Sequence, residues 1–194
     1  MSQSLPDVLT AIAERRSIGR FKNEPVERNV IIQLLQAAGW APSHHNTQPW
    51  RFVVMTGEGR NKLGEGYADV ALSEASGLTE EEAQEKRKKE IAKAFRAPVV
   101  IAAICSPADD PRAVAAEERA AAQAAVQNLL LAAHGLGLGA IWRSGAPMFH
   151  EAMKAAFELR SDEEIVAFIY LGHPDMKPLK AERIDILEKT IWLD

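Results

Sequence analysis

Residues 97–105 read APVVIAAIC, an almost unbroken apolar run with Val99, Val100 and Ile101 near its centre. A strand without a polar face has to be covered on both sides, so this segment is predicted to lie inside a sheet. The next segment narrows the choice further. Asp109, Asp110 and Pro111 open a helix predicted from Arg112 to about His134, stopped by Gly135. Alanine dominates it. Alanine loses no side-chain entropy on folding and lets neighbouring backbones approach, which suits a central helix packed on several sides.

The remaining elements follow from spacing. Leu5, Val8, Leu9 and Ile12 share one face of a first helix that ends at Glu14. After Pro25 a second helix runs to about Gly39, carrying Val30, Ile31, Leu34, Leu35 and Ala38. Residues 50–55 are β-branched and aromatic and read as a buried strand, and residues 57–73 are loosely helical. Thr79 with Glu82 forms a capping box ahead of a charged helix whose acids precede its bases, which marks a solvated face. A strand at 137–144, a helix at 147–157 and a strand at 165–171 complete the pattern. No repeat or linker divides residues 1–194, so one α+β domain is expected.

Bulk properties exclude several classes. Apolar residues make up 47% and charged residues 26%, which fits a folded globular chain. The net charge of −4, with scattered basic residues, argues against nucleic acid. No apolar run reaches the roughly 18 residues of a membrane span, and the N-terminus lacks a secretory pattern, so a cytoplasmic protein is expected. The single cysteine, Cys105, lies in the apolar run and reads as a structural thiol. His44, His45, His134, His150 and His173 show no metal-ligand spacing, and no nucleophile elbow is present. GLGLG at 135–139 ends a helix, where a dinucleotide loop would follow a strand. Any hard chemistry therefore falls to a bound cofactor.

Residues 41–52, APSHHNTQPWRF, offer an obvious place for one. Pro42 and Pro49 stiffen a run of amides, hydroxyls and imidazoles that suits the edge of a flat heterocycle, though an ordinary helix-to-strand connection reads the same way. Arg15, Arg16 and Ser17 could likewise grip a phosphate or simply complement a helix dipole. The loop resembles the signature of the nitroreductase family of flavoproteins, A-P-S-x-x-N-x-Q-P-W-x-F, at every fixed position. ERRSIGRF at 14–21, GLGAIWRSG at 137–145 and YLGHP at 170–174 match in order and spacing. The IWRSG wording resembles the short bacterial branch.

That resemblance implies a nitroreductase-like fold: a central mixed sheet sandwiched by helices, in an intertwined homodimer whose sites draw on both subunits. It implies bound FMN, with NAD(P)H reducing it and a nitroaromatic, quinone or related acceptor oxidising it in a ping-pong cycle. Arg15, Arg16 and Ser17 would hold the phosphate and ribityl chain. Ser43, His44, Asn46 and Gln48 would address the ring edge or ribityl hydroxyls, and Trp142, Arg143 and Ser144 would lie against the ring. Trp40 stands where some short-branch members carry arginine, and Gly19 where family members commonly carry a basic residue. Arg143 is then the first candidate for a positive charge at the flavin N1–C2=O edge, and Arg20 the second; an interface ion pair is the other reading of Arg143. The region around 79–95 covers the flavin in this family. Apolar Ile191, Trp192 and Leu193 end a polar tail, so residues 175–194 read as an arm around a partner subunit, with Arg183 matching the family's phosphate-binding pair poorly. Alternatives are a flavin carrier or sensor, reductive dehalogenation, or flavin fragmentation on the same fold.

Overall fold

The computed structural model describes residues 6–193. Leu5, placed on the first helix by its spacing, and Asp194 lie outside the described residues. In chain order the helices and strands are α1 (Val8–Glu14), α2 (Arg28–Gly39), β1 (Trp50–Thr56), α3 (Asn61–Ser73) and α4 (Glu80–Ile91). There follow β2 (Val99–Cys105), α5 (Ala115–Gly135), β3 (Gly139–Arg143), α6 (Glu151–Ala156) and β4 (Glu164–Gly172). The strands stand side by side as β1-β2-β4-β3.

Every residue of β2 is buried, as its composition demands. Its alternating side chains serve two cores. Val99, Ile101 and Ala103 meet α2 and α5 on one face, while Val100, Ala102 and Ile104 meet α3 and α6 on the other. Between β2 and β4 the register shifts at Ala103 and Ile104, and Val166 is the extra residue. Val166 and Ala167 consequently face the same core. Alanines 121, 122, 125 and 133 of α5 are all buried, which lets α5 sit close over the sheet and beside α2. Asn128 Nδ2 donates to the Ala37 carbonyl at 3.3 Å and ties the two helices together.

Several expectations need correcting. Each pairing in the sheet is antiparallel, so the sheet is not mixed. The β2–α5–β3 segment has the form of a parallel crossover, but β4 inserts between β2 and β3 and runs opposite to both. Parallel pairing among the described residues is confined to an isolated bridge from Ser17 to Ala140. The segment at 50–55 is not a buried strand: β1 is a sheet edge and only Met55 on it is buried. The helix expected at 147–157 is broken, with a 3-10 turn at Ala146–Phe149 before α6. His150 starts α6 by accepting the Ala152 amide on Nδ1 at 3.1 Å. On α1, Val8, Leu9 and Ile12 point outward, and Ala11 is the buried residue. No helix among the described residues is long and apolar enough to cross a membrane.

Candidate functional site

The segment after α1 runs beside β3. Ile18 N donates to the Ala140 carbonyl at 3.0 Å, which sets Ser17 against the strand. Gly139 makes that approach possible, since a Cβ there would lie 2.7 Å from Ile18 Cγ2. A cavity of about 240 Å³ opens here, lined by Arg15, Arg16, Ile18, His134, Gly139 and Ala140 among others. Arg16 is braced by the Ala13 and Arg15 carbonyls at 2.7 and 2.9 Å. Burial lowers the pKa of Arg15 below the usual arginine value, and the positive charges of Arg16 and Arg183 lower it further. None of these three arginines forms an ion pair among the described residues. Clustered like charges of this kind are relieved by an anion.

The other end of β3 borders a second cavity, of about 430 Å³, with Trp142, Arg143 and Ser144 on one side and Tyr67, Lys93 and Arg96 on the other. The Arg143 guanidinium carbon sits 5.3 Å from the centroid of the Tyr170 ring. Its Nε is buried without a hydrogen-bond partner, an orphan donor that calls for an acceptor from outside the chain. Arg143 also fills the space beside Gly19, where a Cβ would lie 3.9 Å from Nη2. Tyr170 and Tyr67 flank the guanidinium, and burial, above all, raises both phenols above their ordinary value. Arg20 does not join this group. Its Nε donates to the Asp175 carbonyl at 2.7 Å.

The third expected piece lies elsewhere. Residues 43–48 precede β1 at one edge of the sheet, whereas Ser17 and Trp142–Ser144 belong to the opposite edge. Three strand spacings, about 14 Å, separate the edges. Trp50 is level with Cys105 and Glu164, while Ser17 is level with Ala140 and Leu171, so the two also stand roughly seven residues, about 23 Å, apart along the strands. The chain therefore brings Arg15, Arg16 and Ser17 to the same strand as Trp142, Arg143 and Ser144, and leaves Ser43, His44, Asn46 and Gln48 apart from them.

The loop itself is held in an uncommon shape, with positive φ at His45, Asn46 and Gln48. Ser43 Oγ accepts the Gln48 amide at 3.1 Å, and Gln48 Nε2 donates to Asn46 Oδ1 at 3.3 Å, so part of the predicted recognition edge braces the loop. Below it, buried Glu118 accepts from Thr47 Oγ1 at 2.6 Å and from the Ala108 amide at 3.1 Å. Sequence reasoning missed Glu118. Its only signal was one acid of a pair within an alanine-rich helix. Trp40 caps α2 at 87% exposure and touches no part of the two cavities. Burial, then the charges of Glu164 and Glu118, push the Cys105 thiol up to about 11, which makes it unreactive. No group of three or more acidic, histidine or cysteine side chains suited to a metal occurs among the described residues.

The profile of the Nitroreductase family matches residues 12–173. YfhC of Bacillus subtilis, provisionally named an NAD(P)H nitroreductase, is 32% identical over 179 residues, covering 92% of this chain and 90% of the relative. A nitroreductase-like protein from Bacillus cereus superposes with a TM-score of 0.84 at 30% identity, with all of both chains covered. A protein from Desulfovibrio desulfuricans, provisionally named a nitroreductase and solved in complex with FMN, superposes at 0.74 and 29% identity over 97% of this chain and 98% of its own. With the fold, the motifs and the profile in agreement over most of its length, the chain belongs to the nitroreductase family.

Proposed function

We propose that this protein is an FMN-dependent oxidoreductase that takes electrons from NADH or NADPH and passes them to a nitroaromatic, a quinone or a related acceptor. The observation that carries this reading is the pair of cationic cavities along β3, one at Arg15 and Arg16, the other at Arg143 with its orphan Nε. Ala140 and Arg143 are three residues apart on that strand, about 10 Å, which suits a phosphate at one end and a flat ring edge at the other. The names of YfhC and of the FMN-bound neighbour support the same reading.

Arg15, Arg16 and Ser17 then hold the phosphate and ribityl chain, with Arg183 as a third cation. Trp142, Arg143 and Ser144 lie against the ring, and Arg143 places positive charge at its N1–C2=O edge. A cation there favours the reduced, anionic form over the oxidised one. FMN, when bound, supplies the hydride-accepting and electron-donating chemistry that the side chains lack. NAD(P)H and acceptor use one space in turn, a ping-pong cycle.

The separation of the signature loop from both cavities supports a homodimer, in which Trp40, Ser43, His44, Asn46 and Gln48 of one copy complete the site of the other. A groove of about 750 Å³ beside the unpaired edge of β1, lined by Val26, Ile31, Ile32, Leu35 and Val54 among others, is the proposed seat for the arm. That arm, residues 175–194 of the single domain, exposes Ile186, Leu187, Ile191 and Trp192.

The test is anaerobic mixing. Purified yellow protein should bleach rapidly with NADH or NADPH, and initial rates with an added acceptor should give parallel double-reciprocal lines. Flavin that stays oxidised would make the chain a carrier or sensor.

A further inference from the structure

The cavity at the Arg143 end of β3 carries more positive charge than one ring edge accounts for. Arg96 closes the 3-10 turn Ala92–Arg96, stands exposed at the rim, and makes neither ion pair nor hydrogen bond among the described residues. Lys93, on the same turn, is paired with Glu90. Glu90 acts electrostatically on nearby Tyr67 but does not line the cavity, and no carboxylate does. The wall thus offers two guanidinium groups and hydroxyls with no carboxylate opposite them, its one ammonium being paired with Glu90. Two unpaired guanidinium groups facing one space repel each other. An oxyanion at the rim beside Arg96 lowers that repulsion and gains charge-assisted, planar hydrogen bonds. The phosphate cavity at Arg15 lies further along β3, so Arg96 is not needed for that group.

We propose that this cavity selects aromatic electron acceptors bearing a carboxylate or equivalent oxyanion, with Arg96 as the main contact and Lys93 beside it. The ring's acid group sits at the rim and its reducible group points inward toward Arg143. The assignment of the acceptor's role rests on the flavin reading above; the oxyanion site does not.

The probes are 4-nitrobenzoate and its neutral counterpart 4-nitrobenzamide. Calorimetric titration of the protein as purified, without reductant, should show nitrobenzoate binding about tenfold more tightly or better, as one charge-assisted bond implies. Arg96→Gln should abolish that preference and Arg96→Lys should restore part of it. With NADH present, the ratio of kcat/KM for the two acceptors should fall by about the same factor in Arg96→Gln. Equal binding of the two probes by the parent protein, or a preference unmoved by Arg96→Gln, overturns the proposal. So does a variant that loses NADPH relative to NADH while keeping its acceptor preference, because the oxyanion recognised is then the reductant's phosphate. Calorimetric discrimination without any reduction of flavin would defeat the proposed function and leave the oxyanion site standing.

Discussion

Arg51 Nε and Nη2 grip the two oxygens of Glu163 at 3.1 and 3.0 Å, and the Arg160 amide adds a third bond at 3.0 Å. Burial alone would raise this carboxyl, but the Arg51 fork and the Arg160 amide outweigh it and hold it at about 2. A depressed carboxylate stabilises the fold fully above its ordinary value of 4.5, and that stabilisation disappears as pH falls from there through about 2. Urea unfolding at stepped pH should show this loss, and Glu163→Gln should flatten it while costing about 2 kcal/mol at neutral pH. Arg143 makes a different prediction. Arg143→Met should keep FMN but lower its two-electron potential by about 30 mV, close to 1.4 kcal/mol, with roughly tenfold slower reduction by NAD(P)H. A redox titration with an unchanged potential would remove Arg143 from the ring edge.

Among the α-helices, α4 is the one with no buried residue. Its start is held by the reciprocal bonds of Thr79 and Glu82, at 2.8 Å from the Thr79 amide and 3.3 Å to the Thr79 hydroxyl. Gly64 of α3 lets α4 approach, because a Cβ there would meet Ile91 backbone at 3.1 Å. Arg87 pairs with Glu65 and Asp69 across the same contact. Thr79→Ala should cost about 1 kcal/mol and speed amide exchange within residues 80–91 before it alters any global transition. The strand β3 depends on a closer fit. Gly139→Ala should push Ile18 away and move Ser17 with it, at about 1–3 kcal/mol of overpacking. The far-ultraviolet spectrum should stay the same while flavin retention on dilution falls.

At the scale of the whole molecule, the tail shows the largest mismatch between sequence character and surroundings. Ile191 and Trp192 are 85% and 77% exposed, and α1 turns Val8, Leu9 and Ile12 outward as well. Large exposed apolar surfaces mark contact sites, and the proposed arm and dimer would cover these. Removal of all residues after Glu182 should shift the light-scattering mass from dimer toward monomer and leave most of the protein colourless, since Arg183 and the arm go together. A truncated protein that remains a fully flavinated dimer would refute the arm.

Much of this was legible in the chain. The apolar runs at 97–105 and 165–171 mark the two interior strands, the capping box marks the start of α4, and four motifs mark the family, three of them carrying candidate residues. Those signals are local, because periodicity reports only that a residue needs cover and which neighbours share its face. What supplies the cover is decided at long range. The insertion of β4 between β2 and β3, the edge position of β1 and the burial of Glu118 under the loop all depend on segments distant in sequence. So does the separation of Ser43–Gln48 from Arg15 and Arg143, because strand order is set by which apolar faces can be buried together. Only the tertiary structure placed Arg96 and Arg143 around one space, where unpaired charge becomes a demand for an anion.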